Sequence, residues 1–172
     1  LYIVDDHSSD ELLKMFEEVA DTFGFEYEMI PFLSNPVRGR DGRTGTGNGM
    51  SLKTQYDYCY QNLEGFLFFI EDDYLMVETT IEECVDAYLR FKVLANNEVV
   101  IHPVDYPDRY HAKFTPISPA YIFLGKYRHW RTIAHTTGTI GISKETLVEH
   151  WDKYEKLTKY GIDPSVTEAN TI

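Results

Sequence analysis

The sequence predicts one α/β domain in which helices cover a mostly parallel β-sheet. Apolar segments of strand length alternate along the chain with amphipathic segments of helical length, which is the pattern of α/β proteins. No internal repeat and no linker divides the 172 residues, and a chain of this length makes one domain of ordinary size. With 43% hydrophobic and 26% charged residues, the composition is that of a folded chain with its own core.

Short apolar runs mark the predicted strands. Five successive apolar residues at Phe66–Ile70 indicate a strand that is buried on both faces. The other strands are predicted over residues 1–4, 25–30, 99–101, 121–124, 130–134 and 139–142. The segment 102–119 is rich in Pro, Tyr, Asp and His, so we expect it to be irregular.

Four helices are predicted from apolar residues at helical spacing. The first begins at a capping box of Ser8 and Glu11 and ends at Gly24. The others cover about residues 51–61, 78–94 and 143–159. The residues expected to face the core in the first helix are Leu12, Leu13, Phe16, Val19, Ala20 and Phe23. Those expected in the third are Ile81, Cys84, Val85, Tyr88, Leu89 and Phe91.

The chain is strongly acidic and poor in cysteine. Sixteen Lys and Arg residues against 28 Asp and Glu residues leave a formal net charge of −12, which disfavours nucleic acid and anionic membranes as partners. No apolar run approaches the roughly 18 residues of a membrane-spanning helix. Cys59 and Cys84 are too few for a disulfide framework or a four-ligand zinc site. We therefore expect a soluble, cytoplasmic protein without membrane insertion.

Acidic residues come directly after two of the predicted strands. Glu71, Asp72 and Asp73 follow the buried strand, and Asp5 and Asp6 follow the first one. Neighbouring carboxylates repel each other, which a divalent cation would offset, and their oxygens suit Mg²⁺ or Mn²⁺. Ligands of open α/β sheets bind at the carboxyl ends of the strands. The ordinary alternatives are a solvated acidic turn and residues that cap the following helix.

A segment rich in glycine and arginine, residues 38–49, is predicted to be a loop. It holds five glycines and three arginines in twelve residues, and it fits neither the P-loop nor the dinucleotide-binding pattern. Arg38, Arg40 or Arg43 can make charge-assisted hydrogen bonds to a diphosphate if such a loop closes over it. Arg43 and, on the helix that follows, Lys53 are our candidate nucleotide-binding residues. A plain surface loop is the alternative.

Together these motifs resemble those of nucleotide-sugar glycosyltransferases with the GT-A fold, particularly family 2. The run Val4-Asp5-Asp6-His7-Ser8-Ser9-Asp10 matches the family's Val-Asp-Asp-x-Ser-x-Asp motif at the end of an early strand. Glu71-Asp72-Asp73 stands where the family has its Asp-x-Asp metal motif, with Glu in place of the first Asp. The resemblance is good over about residues 1–95 and implies a three-layer, Rossmann-like fold. The family's opening strand is missing, so we expect a fragment of a longer chain that carries further domains.

The resemblance implies a role for each matched residue. Asp5 or Asp6 would contact the nucleotide base or ribose, and Asp72 would lie near the ribose and the metal. Asp73 would coordinate Mn²⁺ or Mg²⁺ on the donor diphosphate, with Glu71 as a further candidate ligand. The implied reaction moves a sugar, with inversion, from a nucleoside diphosphate, preferably UDP, to a hydroxyl of a glycan acceptor.

An inverting transferase also needs a general base that deprotonates the acceptor hydroxyl. The family places this carboxylate well after the metal motif, where Glu168 and Asp163 stand in this chain. Asp105 and Asp108 are rival candidates. His135, which precedes a Thr-Thr-Gly-Thr run, is a further candidate metal ligand.

Other classes of function stay open at this point. A phosphoacceptor receiver domain has a similar acidic first strand end, but it needs a lone Asp near residues 50–55, where this chain has none. A metal-dependent phosphatase or nucleotidyltransferase would use the same carboxylates. A non-catalytic carbohydrate-binding module would not need adjacent carboxylates after a buried strand.

Overall fold

A computed structural model of the chain describes residues 1–5, 8–30, 37–38, 44–45, 47–104, 120–133 and 138–159. The strands in this part are β1 (Tyr2–Val4), β2 (Glu28–Ile30), β3 (Val37–Arg38), β4 (Thr44–Gly45), β5 (Phe66–Phe69), β6 (Ile122–Leu124), β7 (His129–Arg131) and β8 (Ile140–Ser143). The helices are α1 (Asp10–Phe23), α2 (Gly47–Asn62), α3 (Thr80–Ala95), α4 (Lys144–Glu149) and α5 (Trp151–Lys159). Within these ranges, every helix falls short of the length or the apolar character that crossing a bilayer requires.

The described strands form four two-stranded pairs. β1 and β2 run parallel, whereas β3–β4, β5–β8 and β6–β7 are antiparallel. In the β5–β8 pair Phe69 lies opposite Ile140, and Ile101 adds a single antiparallel bridge to Gly141. Only one of these pairs is parallel, so the mostly parallel sheet of a three-layer fold stays a prediction.

The main hydrophobic core lies between the β5–β8 pair and helices α2, α4 and α5. Its buried residues are Leu52, Tyr56, Leu67, Phe69, Ile140, Ile142, Leu147 and Tyr154. The Tyr56 ring meets the Phe69 ring at 4.8 Å between centroids and the Tyr154 ring at 5.2 Å, both edge-to-face. Phe69 is the last residue of β5, so this packing holds the carboxyl end of the strand in position.

A second cluster packs α3 against the other face of β5. Its buried members are Cys84, Ala87, Tyr88 and Ile101, and the residues packed against them include Phe66, Phe68, Phe91 and Trp130. β5 therefore has apolar neighbours on both faces, although only Leu67 and Phe69 are buried. The predicted strand is one residue too long, because Ile70 lies past its end and is 41% exposed.

Helix boundaries differ from the predicted ones at three places. α2 begins at Gly47 rather than near Ser51, so the prediction of a loop up to residue 49 is wrong. The N-cap of α1 is Ser9 rather than Ser8, and the Ser9 hydroxyl accepts the hydrogen bond that caps the helix. Ser143 caps α4 as predicted, but the predicted single helix after it is interrupted at His150. A capping hydroxyl satisfies one of the free N–H groups at a helix start, and either serine could do so from the sequence alone.

The apolar face predicted for α1 is largely exposed in the structure. Only Ala20 of that face is buried, and Phe23 is 77% exposed. The ring contacts of this helix run from Phe16 to Phe25 and Tyr27 in the segment that follows it. These contacts cover one side of the helix, so the prediction that the whole face is buried is wrong.

Helix α3 buries only part of the predicted face. Cys84 and Tyr88 are buried as predicted, whereas Ile81, Val85 and Leu89 are exposed. Glu83 and Ala87 are buried instead, because the β6–β7 hairpin lies along that side and its Arg128 pairs with Glu83. A long-range contact has therefore decided which side of the helix is covered.

Candidate functional site

The acidic cluster, which we define as Glu71, Asp72 and Asp73, follows β5 directly. The pairing of Phe69 with Ile140 places the residues just after β5 beside those just before β8. Glu71 is half-buried there, whereas Asp72 and Asp73 are exposed. A strand anchored by the core thus carries two solvent-accessible carboxylates at its carboxyl end.

Two residues that precede β8 hold Glu71 in place. The Glu71 N–H donates a hydrogen bond to Thr139 Oγ1 at 3.0 Å, and this hydroxyl lies 3.5 Å from Glu71 Oε2, to which it donates. Backbone N–H groups of Gly138 and Thr139 donate to the same carboxylate. A Cβ on Gly138 would lie 2.8 Å from the carboxyl carbon of Glu71, so only glycine allows this approach.

The Glu71 carboxyl lies in an unfavourable electrostatic environment. Burial raises the pKa of Glu71 above its usual value, and the negative charge of Asp73 raises it further. Hydrogen bonds from Thr139 and Gly138 act in the opposite direction without cancelling the rise. A cation beside Asp73 would remove the repulsion and favour the charged form of Glu71.

Buried polar groups lie behind the cluster. His102 Nδ1 is 2.8 Å from the carbonyl oxygen of Thr139, and both residues are buried. Tyr56 is 1% exposed, and its hydroxyl makes no hydrogen bond to the residues that the structure describes. Burial raises the pKa of Tyr56 far above its usual value, and the charges of Tyr154 and Glu71 add to this. Tyr56 is therefore a neutral phenol under the acidic cluster.

Sequence reasoning missed Gly138, Thr139 and His102 as parts of this site. Thr139 is 68 residues from Glu71, so no local pattern connects the two. The available signal was a glycine between threonines immediately before an apolar strand. In the sequence, this run indicated only the position of His135 as a candidate metal ligand.

Asp5 lies at the carboxyl end of β1, as predicted, and makes a local contact. Its half-buried carboxylate accepts the Ser8 N–H at 3.2 and 3.3 Å, close to the start of α1. The β1–β2 pair meets α2 through Tyr58, whose ring lies 5.3 Å from that of Tyr2 and whose hydroxyl donates to Glu28 at 3.0 Å. Among the described residues, no hydrogen bond joins Asp5 to the acidic cluster.

Lys53 lies on α2 and forms an ion pair with Asp57 one helical turn later. Each side chain is about one-third exposed, at 34% and 35%. Asp57 therefore already occupies one of the three N–H donors of the Lys53 ammonium. The other predicted site residues lie outside the described ranges: Asp6, Arg43, Asp105, Asp108, His135, Asp163 and Glu168.

The donor chemistry of the acidic cluster fits a hard divalent cation. Carboxylate oxygens are the ligands that Mg²⁺ and Mn²⁺ prefer, and these ions commonly keep several positions for water or phosphate. In the part of the chain that the structure describes, no group of three or more His, Cys, Asp or Glu side chains is arranged to hold a metal ion. An ion at Asp72 and Asp73 would therefore share its coordination with a ligand.

Comparisons with protein-family models, with curated proteins and with solved structures found no match to this chain. The resemblance to family 2 glycosyltransferases therefore rests on the two sequence motifs, at Val4–Asp10 and at Glu71–Asp73.

Proposed function

We propose that the chain is a metal-dependent, inverting glycosyltransferase domain. The donor is a nucleoside diphosphate sugar, with UDP the first nucleotide to test, and the acceptor is a hydroxyl group of a glycan. The observation that carries the proposal is the acidic cluster at the carboxyl end of β5. There two exposed carboxylates adjoin a half-buried Glu71 whose pKa is raised by burial and by the charge of Asp73.

A divalent cation would relieve the repulsion within this cluster. Burial and the charge of Asp73 both oppose ionisation of the half-buried Glu71, which costs free energy. Mn²⁺ or Mg²⁺ bound at Asp73 would offset that cost, and diphosphate oxygens and water would complete its coordination. When bound, the ion neutralises the charge that develops on the departing nucleoside diphosphate.

The residues of the chain divide the remaining work. Asp5 or Asp6 would contact the base or the ribose of the donor and Asp72 would lie near the ribose, which would fix the reacting carbon of the sugar. A carboxylate, Glu168 or Asp163, would accept the proton of the acceptor hydroxyl as its oxygen forms the new bond to that carbon. The bond from the same carbon to the diphosphate oxygen breaks in the same step, and the electron pair leaves with the diphosphate.

Release of nucleoside diphosphate from a panel of UDP- and GDP-sugars tests the proposal. Donor hydrolysis by water provides a readout without a known acceptor. With Mn²⁺ present we expect turnover of at least one donor. Asp73→Asn should lower the turnover at least about 100-fold, because Asp73 would hold the cation that neutralises the charge developing on the diphosphate.

Asp21→Asn is the matched control, since Asp21 is an exposed aspartate of α1 and its replacement removes the same charge. This variant should keep wild-type turnover, and both variants should keep the wild-type melting temperature. Full Mn²⁺-dependent activity in Asp73→Asn would refute the assignment.

A phosphoacceptor receiver domain, the second candidate, would share the parallel β1–β2 pair with Asp5 at its carboxyl end, but the chain lacks the lone Asp near residues 50–55 that a receiver needs. Incubation with acetyl phosphate and Mg²⁺, followed by mass spectrometry, separates the two. Phosphorylation of Asp5 or Asp72 would favour the receiver, and an unmodified chain would favour the transferase.

A further inference from the structure

We propose that Gly138 and Thr139, which we call the 138–139 clamp, position the acidic cluster for cation and diphosphate binding. This inference rests on the proposed function. It assigns a role to two residues that carry no charge and that no motif identifies. In this role the clamp holds Glu71 in place. Asp72 and Asp73 directly follow Glu71 in the chain, so its position limits theirs.

The Thr139 hydroxyl holds Glu71 at two points. It accepts the Glu71 N–H at 3.0 Å and donates to the Glu71 carboxylate at 3.5 Å, so it fixes both the backbone and the side chain of one residue. Thr139 is fully buried, at 0% exposure, which limits the access of water to its hydroxyl. A serine at this position keeps the hydroxyl, whereas a valine of nearly the same shape has none.

Gly138 contributes through space rather than through a side chain. A Cβ at this position would lie 2.8 Å from the Glu71 carboxyl carbon and 3.0 Å from its Oε1 atom. Alanine would therefore push the carboxylate away from the backbone N–H groups that bind it. Gly138→Ala and a loss of the Thr139 hydroxyl should thus release Glu71 by two independent routes.

The clamp is itself attached to rigid parts of the molecule. The carbonyl oxygen of Thr139 lies 2.8 Å from Nδ1 of buried His102. The β5–β8 pairing begins at the next residue, Ile140. Asp72 and Asp73, by contrast, are exposed in a turn. Misplacing a catalytic group by about 1 Å can cost about 100-fold in rate, so an anchor at the start of this turn has functional weight.

A merely structural role makes a different prediction from a positioning role. If the clamp only stabilises the fold, its loss should lower the melting temperature and leave cation-dependent binding unchanged. Thr146 offers a matched control: it is also buried, at 1% exposure, and its hydroxyl contacts Ser143 Oγ at 2.9 Å within the start of α4. Thr146→Val also removes one buried threonine hydroxyl, but near the opposite end of the β5–β8 pair from the acidic cluster.

The experiment measures UDP affinity by calorimetry at a series of Mn²⁺ concentrations, together with donor turnover, for each folded variant. Thr139→Val and Gly138→Ala should weaken the Mn²⁺-dependent affinity by about 10- to 100-fold, as losses of supporting groups around metal ligands do. Thr139→Ser should restore it to within about 3-fold, and Thr146→Val should match the wild type. Thr139→Ala replaces Thr139→Val if the valine variant does not fold.

The inference is overturned if Thr139→Val, or its alanine substitute, binds Mn²⁺ and UDP like the wild type. It is also overturned if Thr146→Val weakens binding equally. Failure of the wild-type chain to bind UDP with Mn²⁺ is a separate result, since it refutes the proposed function itself.

Discussion

Cys59 and Cys84 are free thiols with high pKa values. Burial raises the pKa of Cys84 to about 12, with a further rise from the charge of Glu83. Burial raises that of Cys59 to about 11, although the charge of Lys144 acts in the opposite direction. Since the thiolate is the reactive form, neither residue has the character of a catalytic nucleophile.

We therefore predict slow modification of both thiols by a disulfide reagent at about pH 8 in the folded protein. Both should react at least about 10-fold faster once the chain is unfolded in denaturant, because the pKa values then return to those of exposed cysteine. The release of the reagent's coloured thiol measures the rates. Equal rates before and after unfolding would show that the thiols are not buried as the structure places them.

Glu98 is a carboxylate that links three elements. Its Oε2 atom accepts hydrogen bonds from Ser143 at 2.8 Å and from Tyr88 at 2.9 Å, and Lys92 forms an ion pair with its other oxygen. Burial opposes ionisation of Glu98, but the hydrogen bonds from Lys92, Ser143 and Tyr88 outweigh it and lower its pKa. A carboxyl whose pKa is lowered by folding stabilises the folded state above its unfolded pKa.

Glu98→Gln should therefore reduce the free energy of unfolding by about 1–2 kcal/mol near neutral pH. The difference from the wild type should shrink as the pH falls through the unfolded pKa of Glu, about 4.3, and on through the lower pKa that the carboxyl has in the folded protein. Urea unfolding at both pH values measures it, with Glu64→Gln at an exposed position as the control. A difference that is the same at both pH values would exclude this linkage.

At the scale of the elements, the Phe66 ring of β5 packs closely over Gly141 of β8. A Cβ on Gly141 would lie 2.4 Å from the tip of the Phe66 ring. Gly141→Ala should therefore destabilise the fold by about 1–3 kcal/mol through overpacking. Because the obstacle is the ring, Phe66→Leu in the same chain should recover part of that loss.

A double-mutant cycle measured by urea unfolding tests this contact. The structure predicts that the loss from Gly141→Ala is smaller in the Phe66→Leu background than in the wild type. Strictly additive effects of the two substitutions would contradict the packing of residue 66 over residue 141.

The existence of most elements could be predicted from the sequence, but their packing could not. The α2 and α3 helices lie close to the predicted ranges, since apolar spacing is a local property. Which side of α3 is covered depends on the β6–β7 hairpin, which comes later in the chain and contributes the charge that pairs with buried Glu83. The break between α4 and α5 at His150 likewise could not be predicted, because the apolar spacing does not change there.

The candidate site shows the same division. Asp72 and Asp73 could be located because they follow an unmistakable apolar strand directly. Thr139 and Gly138 could not, because their contact with Glu71 exists only after β8 pairs with β5. A carboxylate can be recognised as a candidate ligand from its residue type alone. A threonine or glycine that supports it can be recognised only from its position in the fold.

At the scale of the whole molecule, one apolar cluster packs on each face of β5, and the carboxyl end of the strand lies at the surface. The net charge of −12 surrounds this end with a negative field that attracts cations of any kind. A specific cation site must therefore be measured at about 0.15 M salt, where screening acts beyond about 8 Å. Under that condition, weak general attraction is suppressed and close coordination persists.

The decisive measurement is calorimetric titration of UDP into the wild-type chain at about 0.15 M salt, with Mn²⁺ and with a chelator. We predict binding that is at least about 10-fold tighter with Mn²⁺, and loss of this difference in Asp73→Asn, because under the proposal Asp73 would hold the cation that offsets the charge of the diphosphate. Equal affinity in Mn²⁺ and in chelator, or no UDP binding in either, would contradict a cation-bridged nucleotide site at the end of β5.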